Sequence, residues 1–151
     1  MGVVVIVDTS VFLNLLNVAA FNQRRDEVSR QFEDFVEQQA NFLLPMAAIF
    51  EAGNHIAQLS DGGQRRRYAE IFVTQVTKAL DGDAPWRPIQ MPDIGRVRDW
   101  LADFPKFAMQ GAGTGDLSIV RQWEEACDRH PRLRVMIWSL DGHLGGYDRD
   151  P

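Results

Sequence analysis

The chain has 151 residues, of which 45% are hydrophobic and 10% aromatic, and its formal net charge at pH 7 is -5. This length suits one domain over residues 1–151, and the composition excludes a disordered or low-complexity chain. The acidic balance does not exclude a nucleic-acid partner, because fourteen of the sixteen basic residues are Arg. Arg binds phosphate through paired hydrogen bonds, and the chain would be nearly neutral if four of its carboxylates were neutralised in a metal site.

Targeting signals and membrane spans are not predicted. Asp8 interrupts the apolar start after five residues and no basic segment precedes it, so we expect no signal peptide. No stretch approaches the roughly 20 apolar residues that a membrane-spanning helix needs. Cys127 is the single cysteine and cannot form an internal disulfide, which suits a reducing compartment. We therefore expect a cytoplasmic protein without a membrane partner.

The first third of the chain alternates strand and helix patterns. Residues 3–7 are all apolar and all β-branched, which predicts a parallel strand that is buried on both faces. Ser10 can cap the helix that follows it. Apolar residues recur at helical spacing over residues 26–40. A short strand is then predicted at 42–45, followed by a helix at 46–59.

The same alternation continues to the end of the chain. A Ser-Asp-Gly-Gly turn at residues 60–63 ends the helix predicted at 46–59. The elements predicted after this turn are a helix at 64–80, a short strand at 87–91, a helix at 92–104, a loop at 105–115, a helix at 116–129 and a strand at 134–140. Strands that are separated by helices at this spacing predict a parallel sheet with helices on both faces. The predicted fold is therefore a three-layer α/β/α sandwich.

Four acidic residues fall near the ends of these elements. Asp8 follows the first strand, Asp141 follows the last strand, Asp116 opens the helix after a Gly-rich loop, and Glu51 lies in the helix after the second strand. In a parallel α/β sheet, ligands bind beyond the carboxyl ends of the strands. Each acid also has a structural explanation, because Asp is common in turns and helix caps and Glu51 could face solvent. The coincidence of all four favours one shared site.

Four blocks of sequence carry a resemblance to a known family. They are VDTSVFL (7–13), LLPMAAIFEAG (43–53), GTGDLSIV (113–120) and WSLDGHL (138–144). In order and approximate spacing these blocks resemble the acidic motifs of the PIN-domain nucleases, in particular the compact single-domain kind that includes VapC-type toxins. The resemblance implies a PIN-like fold in which Asp8, Glu51, Asp116 and Asp141 form the acidic quartet, with Ser10 and Ser139 as supporting hydroxyls. The segment 61–92 is longer than in most compact toxins.

The chemistry of four converging carboxylates agrees with that resemblance. Such groups repel one another and raise their own pKa values unless a cation neutralises them. An all-oxygen ligand set suits Mg²⁺ or Mn²⁺, which can activate water against a phosphodiester bond. The resemblance implies an RNA substrate and a metal-dependent ribonuclease. For the toxin-like members it also implies a protein antitoxin and a homodimer as partners.

Several alternatives stay open at the level of sequence. The domain could be a catalytically inactive PIN-like module that binds RNA or a partner protein. The glycines of residues 111–115 could cradle a phosphate, although no P-loop motif is present. An aspartyl phosphotransferase would also place Asp after the first strand, but Ser10 stands where that class commonly has its second Asp.

Two further features could contact RNA. The consecutive Arg65, Arg66 and Arg67 would most simply be the solvated start of a helix, but positive charges in a first turn oppose the helix dipole, which hints at a phosphate contact. Trp86 lies in a Pro-flanked loop and is predicted to be exposed enough to stack on a base or on a partner.

Overall fold

The computed structural model describes residues 2–151, which contain five strands and seven helices. None of these helices is both long enough and apolar enough to cross a membrane. In chain order the elements are β1 (Val3–Val7), α1 (Thr9–Leu15), α2 (Arg25–Glu37), β2 (Asn41–Leu44), α3 (Met46–Ala57), α4 (Gly62–Leu80), β3 (Trp86–Pro88), α5 (Ile94–Leu101), α6 (Phe104–Met109), α7 (Thr114–Arg129), β4 (Arg134–Trp138) and β5 (Asp148–Arg149).

The strands form one sheet in the order β3-β2-β1-β4-β5. β1 lies in the centre and pairs in parallel with β2 and with β4, with Ile6 opposite Leu43 on one side and Ile137 on the other. β3 pairs in parallel with β2, and β5 pairs antiparallel with β4. The predicted α/β sandwich with a central parallel sheet is therefore confirmed, with one antiparallel strand at its edge.

Alternating side chains of β1 supply two separate cores. Val3, Val5 and Val7 belong to an apolar cluster with α1, α2, α3 and α4. Val4 and Ile6 belong to a second cluster with α7 and β4. Because both faces of β1 are covered, all five of its residues are buried. This explains why the strand is an uninterrupted run of branched apolar residues.

The segment 105–115 is not the loop that the sequence predicted. Phe104–Met109 forms the short helix α6, with Pro105 in its first turn. Proline has no backbone N–H and a helix leaves its first N–H groups unpaired, so it is tolerated there. The helix predicted at 116–129 also begins earlier, at Thr114. Asp116 therefore lies inside the first turn of α7.

Trp86 is buried rather than exposed, so the prediction that it stacks on a base or on a partner is wrong. Only 7% of its surface is accessible. Its ring packs edge-on against Phe12 at 5.8 Å between centroids and against Phe32 at 6.4 Å. The residue begins β3 instead of ending a loop, and the pairing of β3 with β2 draws its ring into the larger core.

Candidate functional site

Asp8 lies directly beyond β1, at the carboxyl end of the central strand. Its backbone N–H donates a hydrogen bond to the carbonyl of Trp138 at 3.0 Å, which continues the parallel pairing with β4 by one residue. Only 4% of Asp8 is exposed. The residue also stands at the N-cap of α1 without capping it through its side chain. The carboxylate is therefore buried without the helix-capping role that would explain it.

Two serine hydroxyls orient the Asp8 carboxylate. Ser139 Oγ donates to Asp8 Oδ2 at 2.6 Å, and Ser10 Oγ donates to the same oxygen at 3.2 Å. Each serine oxygen also accepts a backbone N–H, from Asp141 at 2.9 Å and from Leu140 at 3.0 Å respectively. Because each hydroxyl has only one proton, these bonds direct both protons at Asp8. The two serines that the resemblance suggested as supporting residues thus join the ends of β1 and β4.

Asp141 and Asp116 lie near Asp8 from two other elements. Asp141 follows β4, is exposed, and accepts the backbone N–H of His143 at its Oδ1 at 3.0 Å. Asp116 lies half-buried in the first turn of α7. A carboxylate in a first turn is favoured by the helix dipole.

Glu51 reaches the same region from α3. The side chain is half-buried, and its Oε2 accepts a hydrogen bond from Thr9 Oγ1 at 2.9 Å. Its Oε1 lies against the backbone of Gly115, where a Cβ would fall 3.1 Å from Glu51 Cδ and closer still to Oε1. Only glycine at position 115 lets α7 approach the Glu51 carboxylate this closely.

The pKa values of Asp8 and Asp116 reflect both burial and the charges of neighbouring acids. Burial raises the pKa of Asp8 above its ordinary value, against the hydrogen bonds from Ser139, from the Thr9 backbone and from Ser10 that lower it. The charge of Asp141 adds to the rise. Burial also raises the pKa of Asp116, and the charges of Asp141, Asp8 and Glu51 reinforce that rise. Each ionised acid therefore makes the ionisation of its neighbours more costly.

The donor chemistry at this position suits a hard cation, although the acids are not drawn together around one point. Among residues 2–151, no three His, Cys, Asp or Glu side chains lie close enough to hold an ion as a group. Charge effects act over longer distances than the metal–oxygen bonds of roughly 2.0–2.6 Å that Mg²⁺ and Ca²⁺ form. The site therefore has the charge and the all-oxygen ligands for a divalent ion, with its carboxylates farther apart than direct coordination requires.

The Arg cluster at the start of α4 has local contacts. Arg65 Nη1 donates to the Leu59 carbonyl at 2.6 Å and so ties the start of α4 to the turn that follows α3. Arg66 pairs with Glu70 at 3.1 Å, and the side chain of Arg66 is 85% exposed. The guanidinium of Arg67 lies 5.6 Å from the centre of the Tyr68 ring. Arg66 and Arg67 remain available to a phosphate, whereas Arg65 has a structural role.

An apolar cavity of about 260 Å³ adjoins the acids. It lies between α3, α5 and α7, and its walls include Met46, Phe50, Met91, Trp100, Ser118 and Gln122. Phe50 and Met91 are 54% and 62% exposed, so they form an open rim. The cavity is next to the acidic site in the chain as well, because Phe50 precedes Glu51 and the lining residues Gly115 and Leu117 flank Asp116.

Three residues of this region were not singled out from the sequence. Thr9 lies between the predicted site residues Asp8 and Ser10, and Gly115 belongs to the GTGD block. Both residues therefore lie within the sequence motifs that indicated the site. Gln122 had no comparable signal, because a single glutamine on a predicted helix does not reveal whether it faces solvent or the core.

Comparison with known proteins adds no assignment to this geometry. No protein-family model matches the chain, and no curated protein matches it.

Proposed function

We propose that the protein is a divalent-metal-dependent ribonuclease that hydrolyses RNA phosphodiester bonds through Asp8, Glu51, Asp116 and Asp141. The single observation that carries the proposal is the buried Asp8 carboxylate. It is oriented by two serine hydroxyls, the negative charge of Asp141 adds to the rise in its pKa, and it has no ion pair among residues 2–151. Such an arrangement destabilises the ionised protein, which gives a functional explanation for its presence. The PIN-like order of the four sequence blocks supports the same proposal.

Each acid would have a distinct part in holding Mg²⁺ or Mn²⁺. Asp8 has the most fixed carboxylate, because both serine bonds fall on Oδ2. Asp116 and Asp141 would add ligands from α7 and from the end of β4, and Glu51 would add one from α3. When bound, such an ion lowers the pKa of a coordinated water and stabilises the charge on the leaving oxygen.

The rest of the site prepares these residues for the substrate. Ser10 and Ser139 keep the Asp8 carboxylate in one orientation, and Thr9 restrains Glu51. The exposed Asp141 leaves this end of the sheet accessible to a strand of RNA. Holding the reacting groups in place is a large part of the catalysis of phosphoryl transfer.

A cleavage assay tests this function. Purified protein should cut labelled single-stranded or structured RNA in Mg²⁺ or Mn²⁺ and leave 3′-hydroxyl ends, and excess EDTA should abolish the cut. The Asp8→Asn variant should be inactive in the same preparation. Cleavage that persists in EDTA, or in this variant, would show that the activity belongs to another site or to a contaminant.

A non-catalytic module is the second candidate. It is favoured by the observation that no three potential ligands among residues 2–151 are close enough to hold an ion together. A module of this kind would bind RNA or a partner protein with an affinity that does not depend on the metal. Calorimetric titration with Mn²⁺ separates the two, because only the nuclease should bind the ion in a manner that Asp8→Asn removes.

A role as the toxin of a toxin–antitoxin pair is a narrower form of the first proposal. It rests on the resemblance to VapC-type proteins, with a protein antitoxin and a homodimer as the expected partners. Where a small open reading frame lies directly upstream of the gene, expression from an inducible promoter with and without that neighbour tests it. Growth arrest that the neighbour relieves supports the toxin, and normal growth supports a stand-alone enzyme.

A further inference from the structure

Apolar packing on the α7 side of the sheet ends at β2. Phe42, Leu44 and Trp86 point to the other side of the sheet, into the larger core. Side chains alternate along a strand, so the paired residues Leu43 and Arg87 lie on the α7 side. Among residues 2–151, the apolar cluster under α7 includes Leu43 but no residue of β3. Arg87 is exposed, so the surface over β3 on this side is not part of a core.

Two adjoining recesses form a groove over this part of the sheet. One has a volume of about 350 Å³ and is bordered by residues 88–90, by α5 and by the end of α7. The other has a volume of about 340 Å³ and extends past Arg87 to the amino end of β2. Leu43 and His130 line both recesses, which makes them one continuous depression. We call it the basic groove.

Arginine supplies most of the charge in the basic groove. Arg87 lines one recess, and Arg96 and Arg129 line the other together with one carboxylate, that of Glu125. Arg96 pairs with Glu125. Arg87 and Arg129 are exposed and have no ion pair among residues 2–151. The groove therefore keeps two arginines that no carboxylate neutralises.

This excess of positive charge is local. The chain as a whole carries a net charge of -5, and Asp83 and Asp128 adjoin lining residues in the sequence without lining either recess. Arg129 lies in the last turn of α7, where the helix dipole favours a cation. Arg87 lies in a strand and has no such explanation. A groove of this charge on an acidic protein indicates an anionic ligand.

The basic groove leads towards the acidic site. Gln90 lines the groove, and the next residue, Met91, lines the apolar cavity that adjoins the acids. α7 connects the same two regions, because Asp116 lies in its first turn and Arg129 in its last. An α-helix rises 1.5 Å per residue, so these two residues are roughly 20 Å apart along α7. A strand that is bound at the acids and follows α7 therefore reaches the arginines.

We propose that the basic groove binds the phosphate backbone of the RNA strand at a distance from the acids. The proposal rests on the ribonuclease function and adds a second contact with the substrate to it. Arg87 and Arg129 would each bind a phosphate, since a guanidinium presents paired donors that match phosphate oxygens. A stacked nucleic-acid strand advances roughly 3.4 Å per nucleotide, so roughly six nucleotides would separate the acids from Arg129. Because the contacts are with phosphates, they would not select a base sequence.

The experiment measures binding without cleavage. Fluorescence anisotropy in EDTA gives the Kd of a labelled single-stranded RNA of about twelve nucleotides over a range of salt concentrations. Arg87→Gln and Arg129→Gln should each raise the Kd at low salt by at least about threefold, and together by about tenfold. Each should also flatten the plot of log Kd against log salt by up to about 0.7. Both side chains are exposed and without an ion pair, so the variants should fold.

Arg30→Gln is the matched control. It removes the same charge from an exposed position on α2, a helix that packs on the other side of the sheet. Its Kd should differ from that of wild type by less than about 1.5-fold. If Arg30→Gln weakens RNA binding as much as Arg87→Gln does, the effect belongs to the net charge of the protein and the inference is wrong.

The outcomes distinguish this inference from the proposed function. If the groove variants weaken RNA binding in EDTA but wild type never cuts RNA with metal, the groove stands and the nuclease proposal fails. If wild type cuts RNA while the groove variants bind it as tightly as wild type, or if wild type binds no RNA, the inference is refuted. A labelled oligoglutamate peptide of similar length tests the other anionic occupant. If this peptide binds as tightly as the RNA and loses affinity in the same variants, the groove receives an acidic protein segment and the inference is wrong.

Discussion

Gly115 lies so close to Glu51 that Gly115→Ala can test the role of the Glu51 carboxylate in cleavage. The substitution should lower RNA cleavage while it hardly changes the free energy of unfolding of the protein. The new methyl group would displace the Glu51 carboxylate, since the three atoms nearest to a Cβ at position 115 all belong to Glu51. Glu51 is a flexible side chain that can rotate away, at the expense of its 2.9 Å bond from Thr9. We expect a loss of about 1 kcal/mol, below the usual 1.5–3 kcal/mol for a charged hydrogen bond because Glu51 is only half-buried.

The gain from the same substitution offsets this loss. Replacing glycine by alanine within a helix stabilises it by about 0.8–1.0 kcal/mol, so the net free energy of unfolding should change by less than about 0.5 kcal/mol. For a domain of this size that corresponds to a change of roughly 2 °C or less in Tm. RNA cleavage should nevertheless fall by about 100-fold, which is typical when a reacting group is displaced by about 1 Å.

Gly113→Ala is the matched control for this prediction. No atom lies within 4 Å of a Cβ at position 113, but Gly113 is the N-cap of α7, where alanine is less favourable than glycine. The control should therefore lose some stability and keep its activity, the opposite pattern. In addition, Gly115→Ala should stabilise the Glu51→Ala variant by about 0.8–1.0 kcal/mol, because the displaced carboxylate is then absent. Full cleavage by Gly115→Ala, or equal unfolding free energies of the Glu51→Ala protein with and without the added methyl, would refute the reasoning.

Three further predictions concern the charges. First, Asp8→Asn should not lower the free energy of unfolding of the metal-free protein, and should raise it by up to about 1 kcal/mol. This energy is the equivalent of less than one pKa unit. Mn²⁺ should then raise the Tm of wild type but not of the variant; a clear loss of stability in EDTA would instead assign Asp8 a structural role. Second, folding raises the pKa values of Asp8 and Asp116, so the folded state binds more protons than the unfolded state. Their contribution to stability is complete below the unfolded value of about 3.9 and is lost as pH rises through the folded values. As the pH is raised through that range in EDTA, the urea concentration at the midpoint of unfolding should therefore fall less steeply for Asp8→Asn than for wild type. Parallel plots of this midpoint against pH would contradict the raised pKa of Asp8. Third, substituting Arg66 and Arg67 by Gln should flatten the plot of log Kd for single-stranded RNA against log salt by up to about 0.7 per lost phosphate contact. Arg65 is kept because it bonds to the Leu59 carbonyl in the turn after α3, and an unchanged slope would mean that the two arginines are only solvated.

The central part of the fold could be predicted because each strand and long helix carries its own pattern. The branched residues of β1 and the helical spacing in α4 reflect burial against neighbours that are close in the structure. The edge strand β5 could not be predicted in this way. It consists of two charged residues, Asp148 and Arg149, and is held by side-chain hydrogen bonds that the apolar pattern of the sequence does not reveal. Arg134 pairs with Asp148, and Arg149 donates to three carbonyls near the end of α7.

The candidate site was partly visible for a similar reason. An acid at the end of a strand interrupts an apolar run, so Asp8 and Asp141 could be recognised locally. The contacts between Thr9 and Glu51 and between Gly115 and Glu51 join residues that are far apart in the chain. No local pattern reports such contacts. Trp86 was misjudged because the prolines around it suggested a loop, whereas the pairing of β3 with β2 decides its burial.

The position of β1 between β2 and β4 has a consequence for how the protein folds during synthesis. β1 is made first, but its pairing with β4 and the bond from Ser139 to Asp8 need residues that are made about 130 positions later. At about 5–20 residues per second, the ribosome leaves this edge of β1 unpaired for roughly 6–26 s. During that time β1 can pair only with β2. The Asp8 site therefore cannot assemble, and any activity of this site cannot begin, before β4 and Ser139 have left the ribosome.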